Sequence, residues 1–225
     1  MTGAAPRTTV LILAAGRGER LGGRPKAFLE LNGETLLERV VRLGRRIGDE
    51  VVAAVPASDL ARAERIVRGE ARVIEGGPTR ADTFHALLAA AEGSAMTVYL
   101  DVAHPLTSVD LCRRVIAAAG LERAAVAAQR LHDLAAGDDG AALTGRGRLH
   151  LLQKPIVAPY EPTLHGADEA RRRGLPVSTD DAPGVLELLR LAGVPLELVE
   201  SEPWNVKLTT RDDWRMIETL AANFG

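Results

Sequence analysis

The chain of 225 residues contains a single cysteine, Cys112, so no internal disulfide can form, and no Cys/His spacing reads as a zinc site. Aromatic residues make up only 3%, too few for a single-strand nucleic-acid surface built from stacked bases. The formal net charge is -2, so no global basic field attracts nucleic acid, and positive charge can matter only where it clusters. No apolar stretch approaches the roughly 18 residues that span a bilayer, which argues against a membrane partner. The opening MTGAAPRTT lacks the apolar core of a signal peptide, and the expected compartment is the cytoplasm.

What is present is an ordinary globular balance, 46% hydrophobic and 26% charged, in a length that suits one large domain spanning 1–225. Short apolar runs alternate with longer amphipathic ones. TVLIL (9–13), VVAAV (51–55), ARVI (71–74), TVYL (97–100), AAVAA (124–128) and LELV (196–199) read as strands, several of them apolar throughout. Strands covered on both faces of a mainly parallel sheet have that composition. Between them, residues 35–47, 58–68, 80–91 and 108–119 carry a helical period, and Thr35 with Glu38 is a capping box. Ser178 with Asp181 and Thr210 with Asp213 repeat the box with the shorter acid. The alternation predicts an α/β fold with ligands beyond the carboxyl ends of the strands. Residues 130–155, with glycines, the Asp138–Asp139 pair and a return to strand character at LHLL (149–152), break that rhythm. They read as an arm projecting from the sheet, a flexible linker being the plainer alternative.

The first loop, AAGRGERLGGRPK (14–26), is the chemically loaded stretch. A dinucleotide fingerprint would need a third glycine where Leu21 stands, and a P-loop fails at Arg24-Pro25. There remain Gly16 and Gly18 after a strand, Arg20, and Lys26 in a Pro-Lys pair. Glycines let backbone N–H groups close on phosphate oxygens, and the cations neutralise a polyphosphate.

This opening resembles the nucleotidyltransferases that act on sugar and alditol phosphates, and within them the 2-C-methyl-D-erythritol 4-phosphate cytidylyltransferase family. The likeness continues in order through GGPTRADTFHALLAA (76–90), LDVAHP (100–105), STDDA (178–182) and WNVKLTT (204–210). It implies a three-layer sandwich on a mainly parallel, Rossmann-like sheet, an attack by an acceptor phosphate on the α-phosphorus of CTP, and Mg²⁺ as the cofactor. It further implies that Arg20, Lys26 and Lys207 stabilise the transition state. Ala14, Ala15, Gly16, Gly18, Gly77, Arg80, Thr83 and Asp101 would hold CTP, with Asp101 also facing the metal. A homodimer would exchange the arms at about 130–155.

The acceptor side departs from that pattern. His104 stands where the family motif has arginine, replacing a permanent cation by one only fractionally charged near neutral pH. Lys154-Pro155-Ile156 replaces a Thr-Pro-Gln triplet, and Arg146 falls on the family's acceptor-binding arginine. The acceptor set by resemblance is therefore Arg146, Lys154, His104, Thr179 and Asp180, with Lys154 a candidate substitute for the missing arginine. The acceptor is expected to be 2-C-methyl-D-erythritol 4-phosphate or an analogue. Another alditol phosphate, a phosphonate, or a non-catalytic nucleotide binder are the alternatives.

Overall fold

The computed structural model describes residues 7–16, 18, 21–133, 135–136, 139–140, 142–143, 149–176 and 184–223. Its first half is built from β1 (Thr8–Leu13), the short pair β2 (Glu30–Leu31) and β3 (Glu34–Thr35), α1 (Leu36–Arg45), β4 (Glu50–Val55) and α2 (Leu60–Val67). There follow β5 (Arg72–Glu75), α3 (Arg80–Ala90), β6 (Met96–Asp101), α4 (Val109–Ala118) and β7 (Ala124–Arg130). The second half holds β8 (Ala135–Ala136), β9 (Ala142–Leu143), β10 (His150–Pro159), α5 (Tyr160–Arg172), α6 (Val185–Leu191), β11 (Leu196–Glu200) and α7 (Arg211–Ala222).

The main sheet has the order β11-β7-β10-β6-β1-β4-β5. All its neighbours pair in parallel except β10, which runs antiparallel to both β6 and β7. The central strands are apolar because each face is covered. Val10 and Ile12 of β1 point into one core with residues of α1, α4 and α7, while Leu11 joins the opposite core with α3, α5 and α6. This is the expected mixed α/β sandwich with a mainly parallel sheet. No helix among the described residues is long and apolar enough to cross a membrane.

The expected strands match β1, β4, β5, β6, β7 and β11 to within a residue or two. The sequence pattern marks β10 only over 149–152, but the strand continues to Pro159, and α5 and α6 have no counterpart among the expected helices. The boxes at Thr35 and Thr210 form, whereas Ser178 with Asp181 lies outside the described residues. Within 130–155, β7 and β10 pair as far as Arg130 with His150, and β8 pairs with β9.

The α1 box has a pH signature. Hydrogen bonds from the Thr35 hydroxyl and amide hold the Glu38 carboxyl below its ordinary value. A carboxyl depressed in the folded state adds stability above its unfolded pKa of about 4.3, and loses that contribution as pH falls through the folded value. Thr35→Ala is expected to cost about 1 kcal/mol at neutral pH. In thermal melts the gap between Thr35→Ala and the parent should be narrower at pH 3 than at pH 7; equal gaps would show that Glu38 draws nothing from Thr35.

Candidate active site

The site is assembled at the carboxyl end of β1 and β6, where a doubly covered parallel sheet leaves its crevice. After β1 the chain passes Ala14, fully buried, whose amide donates to the Ala54 carbonyl at 3.0 Å. The turn beyond it closes on Gly18, whose carbonyl accepts from the amides of Leu21 at 2.7 Å and Gly23 at 3.1 Å. Gly18 has φ +65°, and a Cβ there would stand 1.9 Å from the Arg24 carbonyl oxygen. Only glycine fits such a position. Pro25 then leads into a short 3-10 turn, Lys26–Phe28, whose Ala27 and Phe28 are buried. The Arg62 guanidinium covers the Phe28 ring at 4.0 Å, fastening this turn to α2. The Lys26 ammonium donates to the Leu208 carbonyl at 2.8 Å.

The opposite wall is the start of α3. Thr79 caps it, and Asp82 returns the bond to the Thr79 amide and hydroxyl. Gly77 packs so tightly against this turn that a Cβ would lie 2.1 Å from the Asp82 Cβ. The Thr83 hydroxyl donates back to the Thr79 carbonyl at 3.0 Å. The floor comes from β6, which ends at Asp101; one carboxylate oxygen accepts from the Ala103 amide at 2.8 Å. The fourth side is the segment before α7. Leu208, fully buried, donates its amide to the Ala103 carbonyl at 2.7 Å. Asp213 accepts from the Thr209 and Thr210 amides at 2.8 and 2.7 Å. Although burial pushes the Asp213 carboxyl up, these bonds outweigh it and hold the group below its ordinary value.

Together these walls enclose a cleft of about 520 Å³. Of the residues singled out in the sequence, Ala15, Gly16, Gly18, Lys26, Gly77, Arg80, Thr83, Asp101 and Lys207 line it. Ala14 lies behind the lining. Thr79, Val102, Ala103 and Thr209 also line the cleft and are not among the sequence candidates; of these only Thr79 has a legible signal, the Thr79-Asp82 cap spacing. Arg20, Arg146, Thr179 and Asp180 lie outside the described residues.

His104 and Lys154 sit beneath the cleft rather than on its lining, with 5% and 7% of their surface exposed. Lys154 precedes the part of β10 that pairs with β6, which begins at Ile156 opposite Tyr99, and its ammonium feels the Asp101 carboxylate. The Lys154 ammonium lies 5.8 Å from the centre of the Tyr99 ring. Burial, with Arg80 and Lys207 adding to it and Asp101 opposing, pushes the lysine down to about 8. Burial likewise pushes His104 down to about 4, Asp101 opposing and Lys154, Lys207 and Lys26 reinforcing. His104 is thus neutral in this structure at physiological pH, and not the fractional cation expected from an unperturbed imidazole. Its Nδ1 is buried without a hydrogen-bond partner among the described residues. Lys26, Arg80, Lys154 and Lys207, gathered around the Asp101 carboxylate, make the region attractive to anions. No group of three His, Cys, Asp or Glu able to hold a metal occurs among the described residues.

Residues 8–222 match the family described as 2-C-methyl-D-erythritol 4-phosphate cytidylyltransferase. An enzyme of that name from Thermus thermophilus is 36% identical over 217 residues, covering 95% of this chain and 96% of its own. The one from Symbiobacterium thermophilum is 35% identical over 224 residues, with 94% and 92% covered. The crystal structure of a Thermus thermophilus 2-C-methyl-D-erythritol 4-phosphate cytidylyltransferase superposes with a TM-score of 0.77 at 31% identity, covering 96% of this chain and 99% of that one.

The Gly18 turn gives a direct test of the cleft. Gly18→Ala forces a left-handed residue, at a cost of roughly 1–2 kcal/mol, and pushes Arg24 away. The chain should still fold, with a Tm lower by a few degrees, while nucleoside triphosphate affinity by calorimetry falls roughly tenfold or more. Unchanged affinity would remove this turn from the binding site.

Proposed function

Because the chain belongs to the 2-C-methyl-D-erythritol 4-phosphate cytidylyltransferase family, we propose that it transfers CMP from CTP to 2-C-methyl-D-erythritol 4-phosphate and releases pyrophosphate. The protein is a CTP-dependent nucleotidyltransferase. The observation that carries the residue-level reading is the cationic cleft, which surrounds a glycine turn with Lys26, Arg80 and Lys207. Matches at about 35% identity along nearly the whole chain do not favour a different acceptor or a non-catalytic binder.

In this reaction an oxygen of the acceptor phosphate forms a bond to the α-phosphorus as the bond from that phosphorus to the pyrophosphate oxygen breaks. The attacking oxygen is already an anion at neutral pH, so no base has to remove a proton. The protein's work is to bring two anions together and to stabilise charge on the oxygens in transit. Lys26 and Lys207 reach the triphosphate from adjacent walls, and Arg20, six residues before Lys26 in the same loop of the sequence, would complete the cationic set. Gly16, Gly18 and Ala15 let the backbone approach the phosphates, while Gly77, Arg80 and Thr83 hold the nucleoside end.

A Mg²⁺ ion fits the donor set. One oxygen of Asp101 accepts from the Ala103 amide, and among the described residues no hydrogen bond takes the other, which suits an ion held by one carboxylate and by substrate phosphates. When bound, such an ion neutralises the triphosphate and orders its oxygens. The acceptor lies over His104 and Lys154, with Arg146, Thr179 and Asp180 as further contacts. His104 is neutral, so Lys154 joins Arg146 in supplying positive charge on this side. The exposed Leu151, Leu152 and Leu198, beside the base of the arm, suit a homodimer joined through the 130–155 region.

Pyrophosphate release from CTP, measured with 2-C-methyl-D-erythritol 4-phosphate and with related phosphates as acceptors, tests the activity. Turnover should be highest with the first, and release with none of them would leave a nucleotide binder. Lys26→Ala and Arg20→Ala should each lower kcat by roughly 100-fold or more, with CTP affinity changed far less. A variant with near-normal kcat would remove that cation from the transition state.

A further inference from the structure

Residues 201–209 join β11 to α7 without a helix or strand of their own, and they carry Lys207 and Thr209 to the cleft. Irregular backbone keeps one conformation only where other groups bond it in place. A principal anchor is Asn205, two residues before Lys207 and 1% exposed. Its Nδ2 donates to the Lys154 carbonyl at 2.7 Å and lies 3.2 Å from Ser201 Oγ. Its Oδ1 accepts from the Thr107 hydroxyl at 2.9 Å. That hydroxyl also stands 3.0 Å from the His104 carbonyl and shares its one proton between the two oxygens. One carboxamide therefore ties the segment to β10 and to the turn that follows β6.

These attachments hold the chain on the upstream side of Lys207. Downstream, Leu208 is held by its amide to the Ala103 carbonyl and by its carbonyl to Lys26. Upstream, among the described residues, no main-chain bond links residues 202–207 to β6 or β10; the main-chain bonds of this stretch are local, from Asn205 to Glu202 and from Val206 to Trp204, while the Glu202 carboxylate accepts from the Ser108 hydroxyl that caps α4. The Asn205 side chain supplies the missing link. Its donor and acceptor are both used, and no one-for-one replacement offers both at the same place. Asp would lose the donor and bury a charge beside a carbonyl, and Ala would leave the Lys154 carbonyl unpaired.

We propose that Asn205 is a positioning residue for the transfer reaction, setting the place of the Lys207 ammonium by tying its segment to β10 and to the β6 turn. Asn205 does not line the cleft and acts through Lys207, so this rests on the reading of Lys207 as a phosphate contact. A group misplaced by 1 Å can cost a rate of the order of 100-fold, which makes such a tether visible in kcat.

The test is a double-mutant cycle on kcat at saturating CTP and acceptor, with Asn205→Ala, Lys207→Ala and the pair. Asn205→Ala should lower kcat roughly tenfold or more, with KM for CTP within about threefold of the parent. In the Lys207→Ala background the same change should cost less than about twofold, because the group it positions is gone. A merely structural asparagine would instead act alike in both backgrounds. Equal losses in the two backgrounds, or a parental kcat for Asn205→Ala, would overturn the proposal. Unimpaired turnover of Lys207→Ala itself would remove the reading of Lys207 first, so the two failures are distinguishable. If Asn205→Ala does not fold, Thr107→Val keeps the carboxamide and deletes the hydroxyl shared by Oδ1 and the His104 carbonyl, and its loss should likewise disappear when Lys207 is absent.

Discussion

Positive side chains repel one another, and this fold holds Lys26, Arg80, Lys154 and Lys207 around one carboxylate, Asp101. Each of them comes from a separate element, and each is fixed by something other than its charge. Lys26 rides on a turn locked by Gly18 and by two buried neighbours. Arg80 opens a helix whose cap is closed by Thr79 and Asp82, a place where a cation works against the helix dipole. Lys154 is carried by β10 just before its buried run Ile156–Ala158, within reach of the Asp101 charge. The cost of gathering these charges falls on the cores, which explains why the catalytic end of the sheet is attached so directly to buried side chains.

The cross-links run through main chain more than through side chains. Leu208 contributes no functional group, yet its amide meets the loop after β6 and its carbonyl meets Lys26. A buried leucine thus determines where two polar walls stand relative to each other. Disturbing it would act on Lys26 and Ala103 together, and a kinetic phenotype from a residue that never meets substrate would be unsurprising.

Much of this is legible in the sequence, and the reasons for the exceptions are physical. The parallel strands announce themselves because burial on both faces demands unbroken apolar runs. Asp101 and Arg80 can be placed because one ends such a run and the other opens a helical period. β10 is legible only in part, since Gln153, Lys154 and Pro155 interrupt its apolar pattern with residues that strands usually avoid. The charge state of His104 is hidden because burial decides it, and burial is a property of neighbours far away in the chain. Asn205 falls inside the WNVKLTT stretch, but its role is hidden for the same cause: its partners lie at 107, 154 and 201.

β10 is the one strand of the main sheet that runs against the others. Its pairing with β7 shifts register between Leu152 and Ile156, so Lys154 sits where the ladder is suspended. The pairing with β7 is set by Leu152 and Ile156 on either side and does not pass through Lys154. The alignment of the sheet is therefore settled by the residues around Lys154, while the side chain itself, 7% exposed and beside the Tyr99 ring, answers to the groups buried with it. Architecture and local charge are set by different neighbours at this one position.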